Sequence, residues 1–442
     1  MAASIEKRGW LHSTCCLLKH FGFRASVVFW ILSCFPAPEG LLDIPFGLDA
    51  PMLAFWHWLI PWVGLRFLHL PVQITESGSG DTLYSYVKLL VVVVSSVVAA
   101  TAWVFLDRRR MGAEKVPTDP LLREGLRVYL RYVLAVAMLG YGFVKVFPTQ
   151  FWAPSVSRLL QPLGDSSPMG LLWTFMGSSV AYTRFAGMGE LLGGLLLFFR
   201  RTTTLGALVL TVVLTQVVAL NFCYDVPVKL GSSLLLFMAL YLLLPDASRL
   251  IEFFWFHRPT TLLTRRIEFP RPWLRTAYIS LKVLLVGGLI LYHARTACTD
   301  WQTRLKVKTG PLSATYAVEE SQSNQLSSAQ QLVGYSPFRH LIFWNSQRLR
   351  IISIDGKSQL YALHDDPATS TLALFSIDIH ATEQKPMPAG SLEYSFPNQR
   401  TLLLKGTIRM ESITLRLRKV ERSDFLLINH GFHWVQEAPF NE

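Results

Sequence analysis

The stretch from Tyr84 to Leu106 limits this chain more than any other. It is apolar almost throughout, holds Val91-Val-Val-Val94, and stops at Asp107-Arg108-Arg109-Arg110. A helix needs roughly 20 apolar residues to cross bilayer hydrocarbon. β-Branched residues are poor helix formers in water, but here length decides for a membrane helix. Hydrophobic residues make up 51% of the chain, too many for an ordinary soluble protein.

The pattern recurs. Further spans are predicted from about Arg24 to Phe35, Val128 to Phe147, Val180 to Phe199, Thr203 to Phe222, Val228 to Leu244 and Thr276 to His293. The first is short. It is helped by Leu17 and Leu18 and ends at Pro36-Ala-Pro38. Residues 51–70 carry Trp56, Trp58 and Trp62 and are broken by Pro61 and Arg66, which suits an interfacial or re-entrant helix. Gly78-Ser-Gly80 reads as a turn or loop, and residues 149–178 as a loop between spans.

Basic residues collect at alternate ends of the spans. They are Lys7, Arg8, Lys19 and Arg24; Arg108 to Arg110, Lys115, Arg123 and Arg127; Arg200-Arg201; and Arg249, Arg258, Arg265, Arg266, Arg271 and Arg275. The positive-inside rule then predicts about seven transmembrane helices, with the N-terminus cytoplasmic and the C-terminus outside. Within the last basic stretch, Leu250-Ile-Glu-Phe-Phe-Trp-Phe256 reads as a short surface helix. This placement accounts for the net charge of +12 and argues against nucleic-acid binding. Cys15-Cys16 follows a polar stretch, so it is no lipoprotein cleavage site, and the first apolar segment is expected to stay as an anchor.

From about Cys298 the pattern changes to short alternating runs, the strand signal. Strands are predicted at Leu312 to Val318, Arg348 to Ile354, Gln359 to Leu363, Thr371 to Ile379, Thr401 to Leu404 and Ile413 to Arg418. Ile354-Asp355-Gly356-Lys357 predicts a hairpin with a primed turn. The expected fold is an α-helical polytopic membrane bundle followed by an all-β extracytoplasmic domain, a sandwich or barrel. The expected divisions are residues 1–124, two spans and an interfacial helix; 125–246, a four-helix core; 247–297, a basic segment and the seventh span; and 298–442, the β-domain.

Candidate site residues lie mostly between 128 and 230. Tyr141 and Lys145 share a helix face at the end of one span. Glu190 sits near the middle of the next, among Gly187, Gly189, Gly193 and Gly194, with Arg184 about two turns away. Gln216 and Asn221 follow, then Tyr224, Asp225 and Lys229 around a turn. Ionisable residues inside a bilayer are costly and often functional. The glycines allow close helix packing, so Glu190 should face another helix and contact Lys145, Gln216 or Arg184. Two readings stay open: a structural network pairing Lys145 with Glu190 and Asp225 with Lys229, or a polar pocket for a small or lipophilic ligand.

Other residues carry less. His430 and His433, if on a strand, would point to opposite faces, which argues against a shared metal. No metal site is expected, since none of the five cysteines has metal-type spacing. Cys223 and Cys298 would either pair in an oxidising compartment or stay apart. Ser166 and Ser167 have no evident His partner, and no dinucleotide or P-loop glycine motif occurs.

Tyr141-Gly-Phe-Val-Lys145, Gly187-Met-Gly-Glu190-Leu-Leu-Gly-Gly194 and Asn221-Phe-Cys-Tyr-Asp225-Val-Pro227-Val-Lys229 resemble the DoxX-like family of bacterial membrane proteins over roughly residues 125–245. Asp165-Ser-Ser-Pro-Met-Gly170, Trp173-Thr-Phe-Met-Gly177, Gly431-Phe-His-Trp434 and Glu437-Ala-Pro-Phe-Asn441 are similar to members that carry a large outer β-domain. The resemblance implies a bacterial inner-membrane protein with a four-helix core and a redox link. Some members of that family resemble a subunit of thiosulfate:quinone oxidoreductase, but three extra spans and no cysteine pair set this chain apart, which weighs against direct thiosulfate chemistry. The function expected is a redox-associated protein binding a quinone or other lipophilic ligand in the outer half of the bundle. Its ligand-binding set is Tyr141, Lys145, Arg184, Glu190, Gln216, Asn221, Tyr224, Asp225 and Lys229, with Lys145 and Glu190 as candidate catalytic groups. The expected partners are the lipid bilayer and a redox-enzyme or envelope protein. The alternative is a non-enzymatic envelope scaffold whose β-domain binds a partner. A third reading, by analogy with vitamin K-dependent carboxylases, makes Lys145 the base of a quinol-dependent enzyme.

Overall fold

A computed structural model describes residues 2–35, 50–75, 78–111, 119–260, 271–306, 312–323, 337–344, 347–377 and 387–438, with backbone alone at 2–17, 110–111 and 323. The sequence expectations at Pro36-Ala-Pro38, Lys115, Arg265, Arg266, Ile379 and Pro439-Phe440-Asn441 lie outside the described residues. So do the side chains of Lys7, Arg8, Cys15, Cys16, Leu17 and Arg110. The chain divides into two compact units. The first is Met1–Phe151 with Val180–Trp301, and the second is Trp152–Ser179 with Gln302–Glu442.

The helices are α1 (Ala2–Cys34), α2 (Ala50–Val63), α3 (Leu83–Met111), α4 (Pro120–Val146), α5 (Val156–Leu159), α6 (Pro168–Ser178), α7 (Val180–Leu197), α8 (Thr203–Cys223), α9 (Lys229–Leu243), α10 (Ala247–Phe254), α11 (Pro272–Leu305) and a short α12 (Leu426–Asn429). Among the described residues, five helices are long and apolar enough to cross a membrane: Leu83–Arg109, Pro120–Val146, Arg200–Cys223, Lys229–Phe254 and Pro272–Leu305. α1 and α7 fall outside this set. The apolar run of α1 begins only after Lys19, His20 and Arg24, and α7 carries Arg184 and Glu190.

α4 buries a stripe at helical spacing, Leu126, Leu130, Val133, Leu134, Ala137 and Met138. It packs on α7, α7 on α8, α8 on α9, and α9 back on α4. One apolar core joins these helices to Val27, Trp30 and Cys34 of α1. α11 runs beside α4, with Val286 and Ile290 against that core and Trp301 6.2 Å from Phe147. The Trp-rich stretch forms α2 and a π-helical turn, Gly64–Leu68, leaving Trp58 and Trp62 exposed and stacked 6.2 Å apart. Such exposed indoles suit an interface.

Residues 149–178 are not merely a loop. Ser155 caps α5 by accepting from Arg158 N–H, and Ser167 caps α6 by accepting from Gly170 N–H at 3.1 Å. Ser167-Pro168 is an N-cap followed by proline at the first helical position, a start signal written in the sequence.

The second unit holds a closed antiparallel barrel in simple meander order. Its strands are β1 (Thr315–Ser323), β2 (Phe338–Trp344), β3 (Arg348–Ser353), β4 (Ser358–Asp366), β5 (Thr371–Ser376), β6 (Met387–Asn398), β7 (Thr401–Ile408) and β8 (Glu411–Val420). β8 pairs with β1 to close it. Alternate residues fill the interior, among them Leu349, Ile351, Tyr361, Leu372, Leu392, Leu402, Leu404, Leu415 and Leu417. Eight strands enclose just enough room for side chains, so the barrel is a packed core.

The sequence reading left sandwich and barrel open, and closure decides for the barrel. It also missed two strands. β6 is punctuated by Pro388, Gly390 and Pro397, and β2 buries Leu341, Ile342 and Phe343 in succession instead of alternating. The β3–β4 turn differs too: only Gly356 has positive φ, at 81°. A type I′ turn needs positive φ at both central residues, and Asp355 lacks it; the Gly356 N–H donates instead to the Ser353 carbonyl at 3.1 Å, which makes a longer connection with a left-handed glycine.

Candidate functional site

Lys145 stands one residue before the end of α4, and Glu190 lies just past the middle of α7. Helical side chains lean towards their own N-terminus. The Lys145 stem therefore runs back along α4 to reach the facing turn of α7. Its Nζ donates to Glu190 Oε1 at 2.6 Å and to Oε2 at 2.7 Å. The two side chains are 8% and 3% exposed.

Glycine makes this meeting possible. A Cβ on Gly187 would lie 2.6 Å from Lys145 Cβ and 2.8 Å from the Gly142 carbonyl oxygen. One on Gly142 would lie 2.6 Å from Leu191 Cγ. With no side chain at either position, α4 and α7 touch backbone to backbone beside the pair. The Tyr141 ring centroid lies 5.7 Å from Lys145 Nζ, a second favourable neighbour for the ammonium.

The remaining expected site residues fall elsewhere. Arg184 is exposed and donates from Nε to the Val146 carbonyl at 3.2 Å, so it caps α4 and does not touch Glu190. Gln216 is exposed on α8. Asn221 is buried and donates to Ser232 Oγ at 3.0 Å. Tyr224 is half-buried at the C-cap of α8. Asp225 has a positive φ of 50°, which a short polar side chain tolerates, and accepts from Lys229 Nζ at 2.7 Å. Among the described residues, no hydrogen bond or ion pair joins this turn to the Lys145–Glu190 pair.

Asp81 was not expected. Its carboxylate accepts from the backbone N–H of Lys229 at 2.8 Å and of Leu230 at 2.9 Å, capping α9 from far away in sequence. Gly80 N–H donates to the Pro227 carbonyl at 2.7 Å and holds the loop in place. The only sequence hint is that the position before α9 is Val228, which cannot cap its own helix. At the other end of α3, Arg24 is 1% exposed and pairs with Asp107, with Asp119 3.9 Å away. In the sequence Arg24 reads as the last residue of a basic cytoplasmic flank, at the start of the first span.

Cys223 and Cys298 are not joined in a disulfide. His430 and His433 are not on a strand. They follow α12 with ring centroids 4.8 Å apart, so the opposite-faces argument does not apply to them. Among the described residues, no three His, Cys, Asp or Glu side chains form a group able to hold a metal.

These features define the class: a multi-helix bundle with helices fit to cross a membrane and a buried Lys–Glu pair, joined to an eight-stranded barrel. No family model matches the chain, and no solved structure matches it. The uncharacterized protein YwoB of Bacillus subtilis (strain 168) is 31% identical over 135 residues, covering 30% of this chain and 84% of YwoB. The chain belongs to the family of YwoB.

Proposed function

We propose that the protein is a DoxX-like integral membrane protein of the bacterial inner membrane, with about seven spans, the N-terminus cytoplasmic and the barrel outside. Its bundle binds a lipophilic ligand with a redox-active head, a quinone or a relative of one, at Lys145 and Glu190. One observation carries this reading: a Lys–Glu pair almost fully buried in an apolar bundle, with Tyr141 beside it. Buried ion pairs are a poor way to gain stability, and ionisable groups at membrane depth usually serve function. Chemically, the ammonium donates to a carbonyl oxygen and the carboxylate accepts from a hydroxyl, which suits both forms of such a head group. Arg184, Asn221, Asp225 and Lys229 then hold helix ends in place without touching the ligand.

The test is extraction of lipids from protein purified in mild detergent, together with native mass spectrometry. A quinone retained by the wild type and lost in folded Glu190→Gln protein, measured below its own melting temperature, is the expected result. Wild-type protein that carries no quinone, and gains none when it is supplied, overturns the reading. Reporter fusions after Arg110, Arg201, Arg266 and the C-terminus test the orientation, and a cytoplasmic C-terminus rejects it.

A second reading has its own support. Both Glu190 oxygens are already engaged by one lysine, and glycine packing closes around them. On that reading the pair is a structural clasp and the protein an envelope scaffold. Glu190→Gln would then lower stability with no ligand to lose, and crosslinking from the barrel would capture a stable protein partner.

A further inference from the structure

Most buried or half-buried basic side chains in the helical unit sit beside a carboxylate. Arg24, Arg127, Lys145, Arg200, Lys229 and Arg249 each have a carboxylate within ion-pair distance. Among the described residues, Arg131 and Lys282 have none. Arg131 is 6% exposed, on the same face of α4 as buried Leu134 and Met138. Its Nη1 reaches Thr203 Oγ1 at 3.5 Å, the outer limit for a hydrogen bond, and its buried Nε has no hydrogen-bond partner. Lys282 on α11 is half-buried, with Nζ 5.6 Å from the Phe199 ring centroid. The Phe199 carbonyl accepts from Thr203 Oγ1 at 3.2 Å, which ties these groups into one cluster. Thr203 also opens α8, whose first amides add positive potential.

A buried, half-satisfied guanidinium beside a second cation is costly in an apolar setting. Every other cation just named meets that cost with a carboxylate. We propose that Arg131, Lys282 and the Thr203 hydroxyl bind a phosphate group, carried by an anionic phospholipid or present as a free ion. A guanidinium supplies directed donors for phosphate oxygens, a lysine adds a point charge, and the Thr203 hydroxyl turns its proton from the Phe199 carbonyl to the phosphate. Basic pockets between membrane helices on the cytoplasmic side hold anionic head groups by the same means. The lipid source rests on the membrane orientation proposed above. The site itself is independent of Lys145 and Glu190.

The test uses the full chain in detergent, as wild type, Lys282→Gln, Arg131→Gln and the control Arg249→Gln. Melting is followed with short-chain phosphatidylglycerol, short-chain phosphatidylcholine or inorganic phosphate. The proposal expects phosphatidylglycerol to raise the melting temperature of the wild type more than phosphatidylcholine does. Its apparent affinity should fall about fivefold in Lys282→Gln, in line with the loss of one basic residue, and stay unchanged in Arg249→Gln. Stabilisation by inorganic phosphate with the same dependence on Lys282 supports a free ion as the source. If Arg131→Gln does not fold, Lys282→Gln decides alone. Equal responses of wild type and Lys282→Gln to every phosphate probe, or no response in the wild type, overturn the proposal. Quinone retention is read separately, so either reading can fail without the other.

Discussion

The helical unit and the barrel solve the problem of an interior in opposite ways. Among the described residues the barrel buries no charged side chain, and leucines from β3 to β8 lie at its centre. The bundle keeps Arg24, Arg131, Lys145 and Glu190 inside, against a background as apolar as the barrel's. Burying charge gains little stability and costs much when a partner is missing. A fold that can be filled with leucine has no need of it. The contrast teaches where to look for function: in the bundle, whose interior is more expensive than packing requires.

The sharpest way to break this comparison is to remove one member of the pair. Lys145→Met strands the Glu190 carboxylate, and we expect a loss of about 3–5 kcal/mol, read by thermal denaturation of the bundle. Lys145→Met combined with Glu190→Leu should recover most of it. If the double variant is no more stable than the single one, the pair is not an isolated electrostatic unit. In the barrel, Leu415→Ala should cost about 2–5 kcal/mol through the cavity it opens. Hydrogen exchange should localise that loss to β7, β8 and β1, leaving α4 and α7 untouched.

Smaller effects sharpen the contrast. Gly187→Ala places a methyl group against Lys145 Cβ and the Gly142 carbonyl, so α4 and α7 must part. We expect a loss of about 1–3 kcal/mol, with quinone retention falling alongside the melting temperature. Asp81→Ala removes the cap of α9 and should cost about 0.5–2 kcal/mol, seen as faster exchange at Lys229 and Leu230. The smallest effect is one of pH. Burial, aided by the charge of Arg339, holds His340 below its ordinary value of 6.5. Below pH 6.5 the unfolded state then binds the proton that the barrel refuses, so barrel stability falls as pH drops through that window. His340→Gln should flatten that slope in denaturation runs between pH 7.5 and 5.5. An unchanged slope would assign the sensitivity to another group.

Much of this protein was legible in its sequence, because the decisive signals are periodic or local. Length and apolarity of Leu83–Arg109 and four other segments marked helices fit for a membrane. Alternation marked six of the eight strands. Glycines spaced around Glu190 implied a close neighbouring helix, and Lys145 is the residue that neighbour supplies. What the sequence could not hold are relations between distant positions. Barrel closure depends on β1 finding β8, and the α9 cap comes from Asp81, 148 residues before the Lys229 amide it receives. Arg24 reads locally as a basic flank and becomes buried only when α1 lies along α3 and brings Asp107 to it. Arg131 and Lys282 are the converse case, two cations whose shared lack of a counterion appears only once α4, α8 and α11 stand together. A residue's type and spacing decide which element it joins. Which charge finds a partner depends on distances across the fold, and only packing sets those.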